Sequence, residues 1–382
     1  MKNRRIYAAA LAAVLSVSVV AGCGTGSENT PVKEGTEAVN SSQTAEPDGT
    51  EMVGSNTQTM GTETMETIDG TQVEEQTKYP AITSKKKIKE YNSVITVGDS
   101  GYELYTYLDD VADNYAKSIN KVAANLEGTA DVYDLVIPLS SEITFPDNLK
   151  GEIKSSSQQK AMESIQGKMS DTVKTVDIYD TLMTHRTEDI YFRTDHHWTA
   201  HGAYYAYEDF CEVKGMEPES LDDLEKVEFD GFLGSFYNDT KDAKLKANPD
   251  TVIAYKPKNG SIMHVTASDG TEYDWPVIYD VSDYGASLKY STFIASDNPY
   301  TIIENKDLDD GSSCIVVKES FGNAFVPFLV DHYQTIYVID YRYWTGSITK
   351  LAKDKKVSDV LFLNNLSMIR NKSLVGKLHR VV

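Results

Sequence analysis

Basic residues and cysteines are both scarce in this 382-residue chain, and each shortage closes off a class of protein. Against 58 aspartates and glutamates stand 37 lysines and arginines, a formal net charge of -21 at pH 7. Such a surface offers no basic track for a phosphate backbone, so nucleic acid is excluded as a partner. With three cysteines in all, one of them at position 23, the chain cannot be a disulfide-built scaffold. For the remaining two, Cys211 and Cys314, both in apolar settings, a disulfide and a pair of buried thiols both stay open. Beyond residue 25 no run is long and apolar enough to span a bilayer. Residues 24 to about 78 have few aromatic or β-branched aliphatic residues. They cannot bury enough surface to offset the entropy of ordering. Acids from Glu28 to Glu75 face only Lys33 and Lys78 there, and loosely similar pieces recur without a period that could stack into a solenoid.

What is present begins with an address. Lys2, Arg4 and Arg5 precede an apolar stretch from about Tyr7 to Ala21, and Val20-Ala21-Gly22-Cys23 reads as a lipobox. The reading is a lipoprotein signal peptide over residues 1–22, lipidation of Cys23, and a location on the extracytoplasmic side of a bacterial cell membrane, held by lipid. Residues 23–78 then form the anchor and an acidic spacer that holds the folded part clear of the membrane. A domain over 79–382 follows, with an irregular insert at about 212–300.

Within that domain, periodicity alternates. Ser93–Val97 reads as a strand, about 108–126 as a helix, and Val132–Pro138 as a buried strand, together a β-α-β opening. A helix over 155–170, a strand over 173–179 and a helix from Thr199, its own cap, to Cys211 come next. Late strands over 313–317, 335–339 and 360–363 flank a helical 321–333. Strands separated by helices predict a three-layer α/β/α fold with a mostly parallel sheet.

Three motifs carry candidate chemistry. Gly98-Asp99-Ser100 follows a strand, and Ser100 is a reserve nucleophile beside the plainer reading of a turn between two short strands. Asp195-His196-His197-Trp198 puts a carboxylate beside two imidazoles just before a helix. If the segment is extended, Asp195 and His197 point one way and His196 the other, so Asp195 can orient the His197 ring. A metal site built from Asp195, His197 and His201 is the competing reading; the glutamate of a zincin is missing, because Trp198 stands in its place. The third motif, Lys318-Glu319-Ser320-Phe321-Gly322-Asn323, turns a strand into a helix. Ser320 there is either a helix N-cap or a nucleophile at the strand's carboxyl end, where the first helical N–H groups can face an oxyanion. Asp340-Tyr341-Arg342 ends the next strand, and Arg342 is either a crevice guanidinium or half of a structural ion pair.

The Asp195-His196-His197-Trp198 run, the Ser320 block and Asp340-Tyr341-Arg342 together resemble the DHHW protein family, itself similar to alginate O-acetyltransferase proteins and SGNH-type esterases. The resemblance runs from about Tyr91 to near the C terminus. It implies an SGNH-hydrolase-like fold and a triad of Ser320, His197 and Asp195, with Arg342 and Asn323 as oxyanion or substrate contacts and with neither cofactor nor metal. Where relatives commonly carry Asp before the serine, this chain has Glu319. The implied activity is O-acetyl transfer or acetyl-ester hydrolysis on a cell-envelope or exported polysaccharide. Implied partners are a membrane-bound O-acyltransferase as acetyl supplier and the polysaccharide acceptor. A noncatalytic envelope-binding or scaffold lipoprotein of the same fold is the rival reading.

Overall fold

The computed structural model describes residues 78–258 and 261–382. The residues read as a signal peptide, Cys23 and nearly all of those read as a spacer lie outside the described residues. Among those described, no helix is long and apolar enough to cross a membrane.

The described chain opens on β1 (Ile88–Tyr91), β2 (Val94–Val97) and β3 (Ser100–Glu103), an antiparallel sheet of its own. The expected β-α-β opening is therefore corrected: β2 pairs with its chain neighbours across tight turns and never enters the main sheet. Gly98 sits at φ +69° in the β2–β3 turn, a conformation that favours glycine, and Ser100 begins β3, as the turn reading has it.

Helix α1 (Asp109–Leu126) leads to β4 (Asp131–Ile137), α2 (Gln158–Gln166) to β5 (Val173–Val176), and α3 (Ala200–Lys214) to the hairpin pair β6 (Glu225–Phe232) and β7 (Asp250–Lys256). Then come β8 (Ile262–Thr266), β9 (Glu272–Pro276), β10 (Tyr300–Glu304), β11 (Ser313–Lys318), α4 (Gly322–Leu329), β12 (Thr335–Asp340), α5 (Ile348–Lys355), β13 (Asp359–Asn365) and α6 (Lys372–Val381). Thr199 caps α3 by accepting the Gly202 amide, as its place before the apolar run predicts. Gly215 closes that helix in the left-handed region at φ +76°.

The main sheet has eight strands in the order β5-β4-β13-β11-β12-β10-β8-β9. From β5 to β12 neighbours run parallel, and from β12 to β9 antiparallel. The composition of the strands follows from what covers them. β11 and β13 are buried at every position, because α1, α2, α5 and α6 lie on one side and α3 and α4 on the other. β8, β9 and β10 instead alternate buried with exposed or half-buried residues, the pattern of a sheet with one wet face. Part of the stretch expected as an irregular insert thus extends the sheet, where the sequence reading laid it over one end. Phe210, Phe321 and Phe325 fill the layer beneath α3, each burial contributing roughly 1.5–3 kcal/mol. Cys211 and Cys314 are both free and buried, and burial pushes the Cys211 thiol up to about 12.

Candidate active site

Strand β11 delivers Lys318 as its last residue, and the chain turns through Glu319 and Ser320 into α4 at the carboxyl end of the parallel strands. Ser320 does not cap that helix, since the cap position is Phe321 and no side chain fills it. Its hydroxyl instead lies 2.8 Å from His197 Nε2. On the far side of the ring, Nδ1 lies 2.6 Å from Asp195 Oδ1, which also accepts the His197 amide at 3.0 Å. A carboxylate, an imidazole and a hydroxyl so connected form the relay that a nucleophilic serine requires.

The motif loop holds this geometry by folding back on itself. Tyr191 bridges Trp198, and the Phe192 amide donates to the His197 carbonyl, so the segment is not an extended strand. Alternation of side chains therefore fails here: His196 packs against the His197 ring with centroids 3.9 Å apart, and its Nδ1 meets Ser235 Oγ at 2.7 Å. Asp250 clamps the loop's start, accepting the Thr194 amide and hydroxyl at 2.8 and 2.6 Å and Arg193 Nε at 3.1 Å. Arg193 in turn pairs with Asp99 at 2.9 Å, and its carbonyl accepts the Gly101 amide, so the Gly98-Asp99-Ser100 turn braces the motif loop. At the other end, Trp198 is fully buried and its indole N–H donates to the Phe321 carbonyl at 2.8 Å, tying the loop directly to α4.

Asp195 is buried, and its second oxygen accepts the Ser235 amide at 2.7 Å. Burial works against its charge, but His197 and His196 beside it and the Ser235 N–H hold its carboxyl well below the usual carboxylate range. Gly234 makes the close approach possible, because a Cβ there would run into the Asp195 carboxylate. Glu319 is fully buried; Oε2 accepts from Ser320 Oγ at 3.3 Å and from the Phe321 amide at 3.2 Å, and Oε1 accepts the Asn365 amide at 3.1 Å. Burial pushes its carboxyl up. A ring completes the site: Tyr290 stacks on His197 at 4.0 Å and 10°, and its hydroxyl donates to the Ser320 carbonyl at 3.0 Å.

Two further residues of the sequence reading lie at the neighbouring strand end, both engaged with protein partners. Arg342 divides its guanidinium between Asp340, at 2.9 and 2.6 Å, and Asp297, at 2.9 Å, which is the structural ion pair. Asn323 is buried, with its carbonyl accepting from Lys318 Nζ at 2.7 Å and its amide donating to Asp297 at 3.0 Å. Nor do the first N–H groups of α4 face an oxyanion. Those of Phe321, Gly322 and Asn323 go to the Glu319 carboxylate, the Glu319 carbonyl and the Ser320 carbonyl. The competing metal set is rearranged as well. His201 is engaged with the Tyr255 hydroxyl at 2.6 Å, while donors of Asp195, His196 and His197 all lie within 4.8 Å of one another. In that cluster both His197 nitrogens and His196 Nδ1 already have protein partners.

Sequence reasoning missed Gly234, Ser235, Asp250 and Tyr290, and no local signal marks them, since each acts across at least thirty residues of chain.

Comparison with solved structures finds the same fold. A DHHW family protein from Eubacterium siraeum is similar at 28% identity and a TM-score of 0.70, covering 79% of this chain and 99% of its own. Bacillus cereus PatB1 is similar at 20% identity and a TM-score of 0.62, covering 78% of this chain and 100% of its own. PatB1 with a sulfonyl adduct is similar at 19% identity and a TM-score of 0.60, over 78% of this chain and 98% of that one. These likenesses identify the sheet and its two helix layers as the SGNH-hydrolase-like α/β/α fold. A search of curated proteins finds no match. The family model described as DHHW protein matches residues 51–339, which is most of the chain, and the chain belongs to that family.

Proposed function

We propose that the protein is an extracytoplasmic serine-dependent acyl-transfer enzyme, an O-acetyltransferase or acetylesterase acting on a cell-envelope or exported polysaccharide. The observation that carries this reading is the unbroken contact from Asp195 through His197 to Ser320, at 2.6 and 2.8 Å. Ser320 Oγ attacks the carbonyl carbon of an acetyl donor while its proton passes to His197 Nε2, and Asp195 holds the ring and balances the imidazolium. The donor's leaving group departs with that proton, leaving an acetyl ester on Ser320. A sugar hydroxyl or water, deprotonated in turn by His197, then attacks the ester, takes the acetyl group and returns the proton to Ser320. Transfer and hydrolysis share the first half and differ only in the acceptor. In this reading a lipid on Cys23 holds the chain at the membrane, and a membrane-bound O-acyltransferase supplies the acetyl group.

One observation favours the noncatalytic alternative, an envelope-binding or scaffold protein. The Phe321 N–H, placed just after the serine, is occupied by the Glu319 carboxylate, so an oxyanion needs Glu319 to give way. Acetate release from p-nitrophenyl acetate by the full-length protein separates the two readings. Catalysis predicts turnover that falls at least about 10⁴-fold in Ser320→Ala and in His197→Ala, with the melting temperature of each variant confirming the fold. A folded wild type without turnover, or variants that keep it, would sink the enzymatic reading and leave the scaffold.

A further inference from the structure

Tyr290 stands out because it touches both the base and the nucleophile of the proposed reaction while belonging to neither motif. It comes from a 3-10 turn, Ala286–Thr292, inside the stretch that the sequence left irregular. That turn is firmly placed. Its Ala286 carbonyl accepts the Leu233 amide, Thr292 exchanges two hydrogen bonds with Tyr279, and buried Lys289 donates to the carbonyls of Val281 and Ser282. The ring is held edge-on by Phe293 at 5.2 Å and Phe192 at 6.1 Å, and its free face lies on His197. Opposite it, His196 covers part of the imidazole, and Phe321 flanks it at 5.0 Å. The phenol stays a neutral donor, since burial, with the charges of Asp195, Glu319 and Asp297 behind it, pushes its ionisation well up.

We infer that Tyr290 is a positioning residue for proton transfer from Ser320 to His197, its ring fixing the imidazole plane and its hydroxyl holding the serine backbone. The physical reason is twofold. An aromatic face attracts the imidazolium that forms as Ser320 gives up its proton, and the stack removes the ring rotation that would break the 2.8 Å contact. The hydroxyl adds a bond to the Ser320 carbonyl, so one side chain sets the spacing between base and nucleophile.

This inference rests on the acyl-transfer reading, and the test separates the two. Full-length wild type, Tyr290→Leu and Tyr290→Phe are treated with a sulfonyl fluoride, and labelling of Ser320 is followed by intact and peptide mass. In that step Ser320 Oγ displaces fluoride from sulfur as its proton passes to His197. The stack predicts labelling roughly tenfold slower in Tyr290→Leu. Tyr290→Phe keeps the ring, and its rate stays within about threefold of wild type. If the leucine variant does not fold, Tyr290→Met fills the space without an aromatic face. A folded leucine or methionine variant that labels at the wild-type rate overturns the inference alone, and a phenylalanine variant as slow as the leucine one overturns the role given to the ring and leaves the hydroxyl bond to the Ser320 carbonyl as what sets the spacing. A wild type that takes no label overturns both this inference and the acyl-transfer reading.

Discussion

At the carboxyl end of the parallel strands, the cluster around Lys318 and the cluster around His197 are built on opposite plans. In the first, Lys318 and Arg342 face Asp297 and Asp340 with Asn323 between them, two cations against two carboxylates, all within hydrogen-bond reach. The chain of contacts closes on itself. In the second, Asp195 and Glu319 accept no hydrogen bond from a lysine or arginine among the described residues, and the half-buried Ser320 hydroxyl lies between His197 Nε2 and the Glu319 carboxylate. Burial and polarity are common to both clusters, so neither property marks chemistry. What differs is whether a proton has somewhere to go: the closed cluster satisfies every charge, whereas the open one leaves an imidazole between an acid and a nucleophile.

Breaking the closed cluster should give the largest effect on stability. Lys318→Met leaves the buried Asp340 and the half-buried Asp297 with one cation between them, and about 3–5 kcal/mol of unfolding free energy should be lost in a denaturant titration. If the protein loses less than about 1 kcal/mol, the cluster is not the structural element described. Gly234→Ala should act on the open cluster. Its new Cβ displaces the Asp195 carboxylate from His197, so turnover of an acetyl ester should fall roughly 100-fold, and the overpacking should cost about 1–3 kcal/mol of unfolding free energy. Unchanged turnover in that variant would separate Asp195 from the chemistry.

A third polar group sharpens the contrast through its dependence on pH. Asp134 on β4 is buried, burial raises its carboxyl to about 7, and Tyr115 donates to one of its oxygens at 2.6 Å. The other oxygen has no hydrogen-bond partner among the described residues, and neither does Asn364 Oδ1, whose own amide reaches the same Tyr115 hydroxyl at 3.3 Å. The folded state keeps this proton to higher pH than the unfolded chain does. Stability from this group is therefore present at acid pH and is lost as pH rises from about 4 through about 7, at about 1.4 kcal/mol per pH unit. Asp134→Asn supplies a permanent donor and should flatten that slope, as measured by unfolding free energies from pH 4 to 8. A slope identical to wild type would show that Asp134 does not carry it.

Much of the architecture was legible because it rests on short-range rules. Continuous apolar runs gave β4, β11, β12 and β13, and helical periodicity gave α1, α2 and α3 with Thr199 as cap. The β-α-β opening failed because a four-residue apolar strand reads alike in a sheet core and in a hairpin, and β2 is the latter. His196 was misplaced because alternation holds only for extended chain, and the motif loop doubles back between Tyr191 and Trp198. Arg342 was left between two readings, since a strand-end guanidinium looks the same in sequence whether it faces a ligand or a buried aspartate. Asp297, which decides the matter together with Asp340, lies 45 residues earlier.

Sequence alone determined the residue types able to do acyl chemistry, the strands and helices that carry them, and a lipoprotein leader as an expectation. Each of these follows from local patterning of polarity, capping and spacing. Tertiary structure alone decided that Asp195 and His197 meet a serine 123 residues from the imidazole, that Glu319 takes the amide an oxyanion would need, and that Tyr290 stands over the base. No local preference encodes such contacts. They exist only once strand order and layer packing have brought distant segments to one end of the sheet, where burial makes each distance and each unpaired charge count.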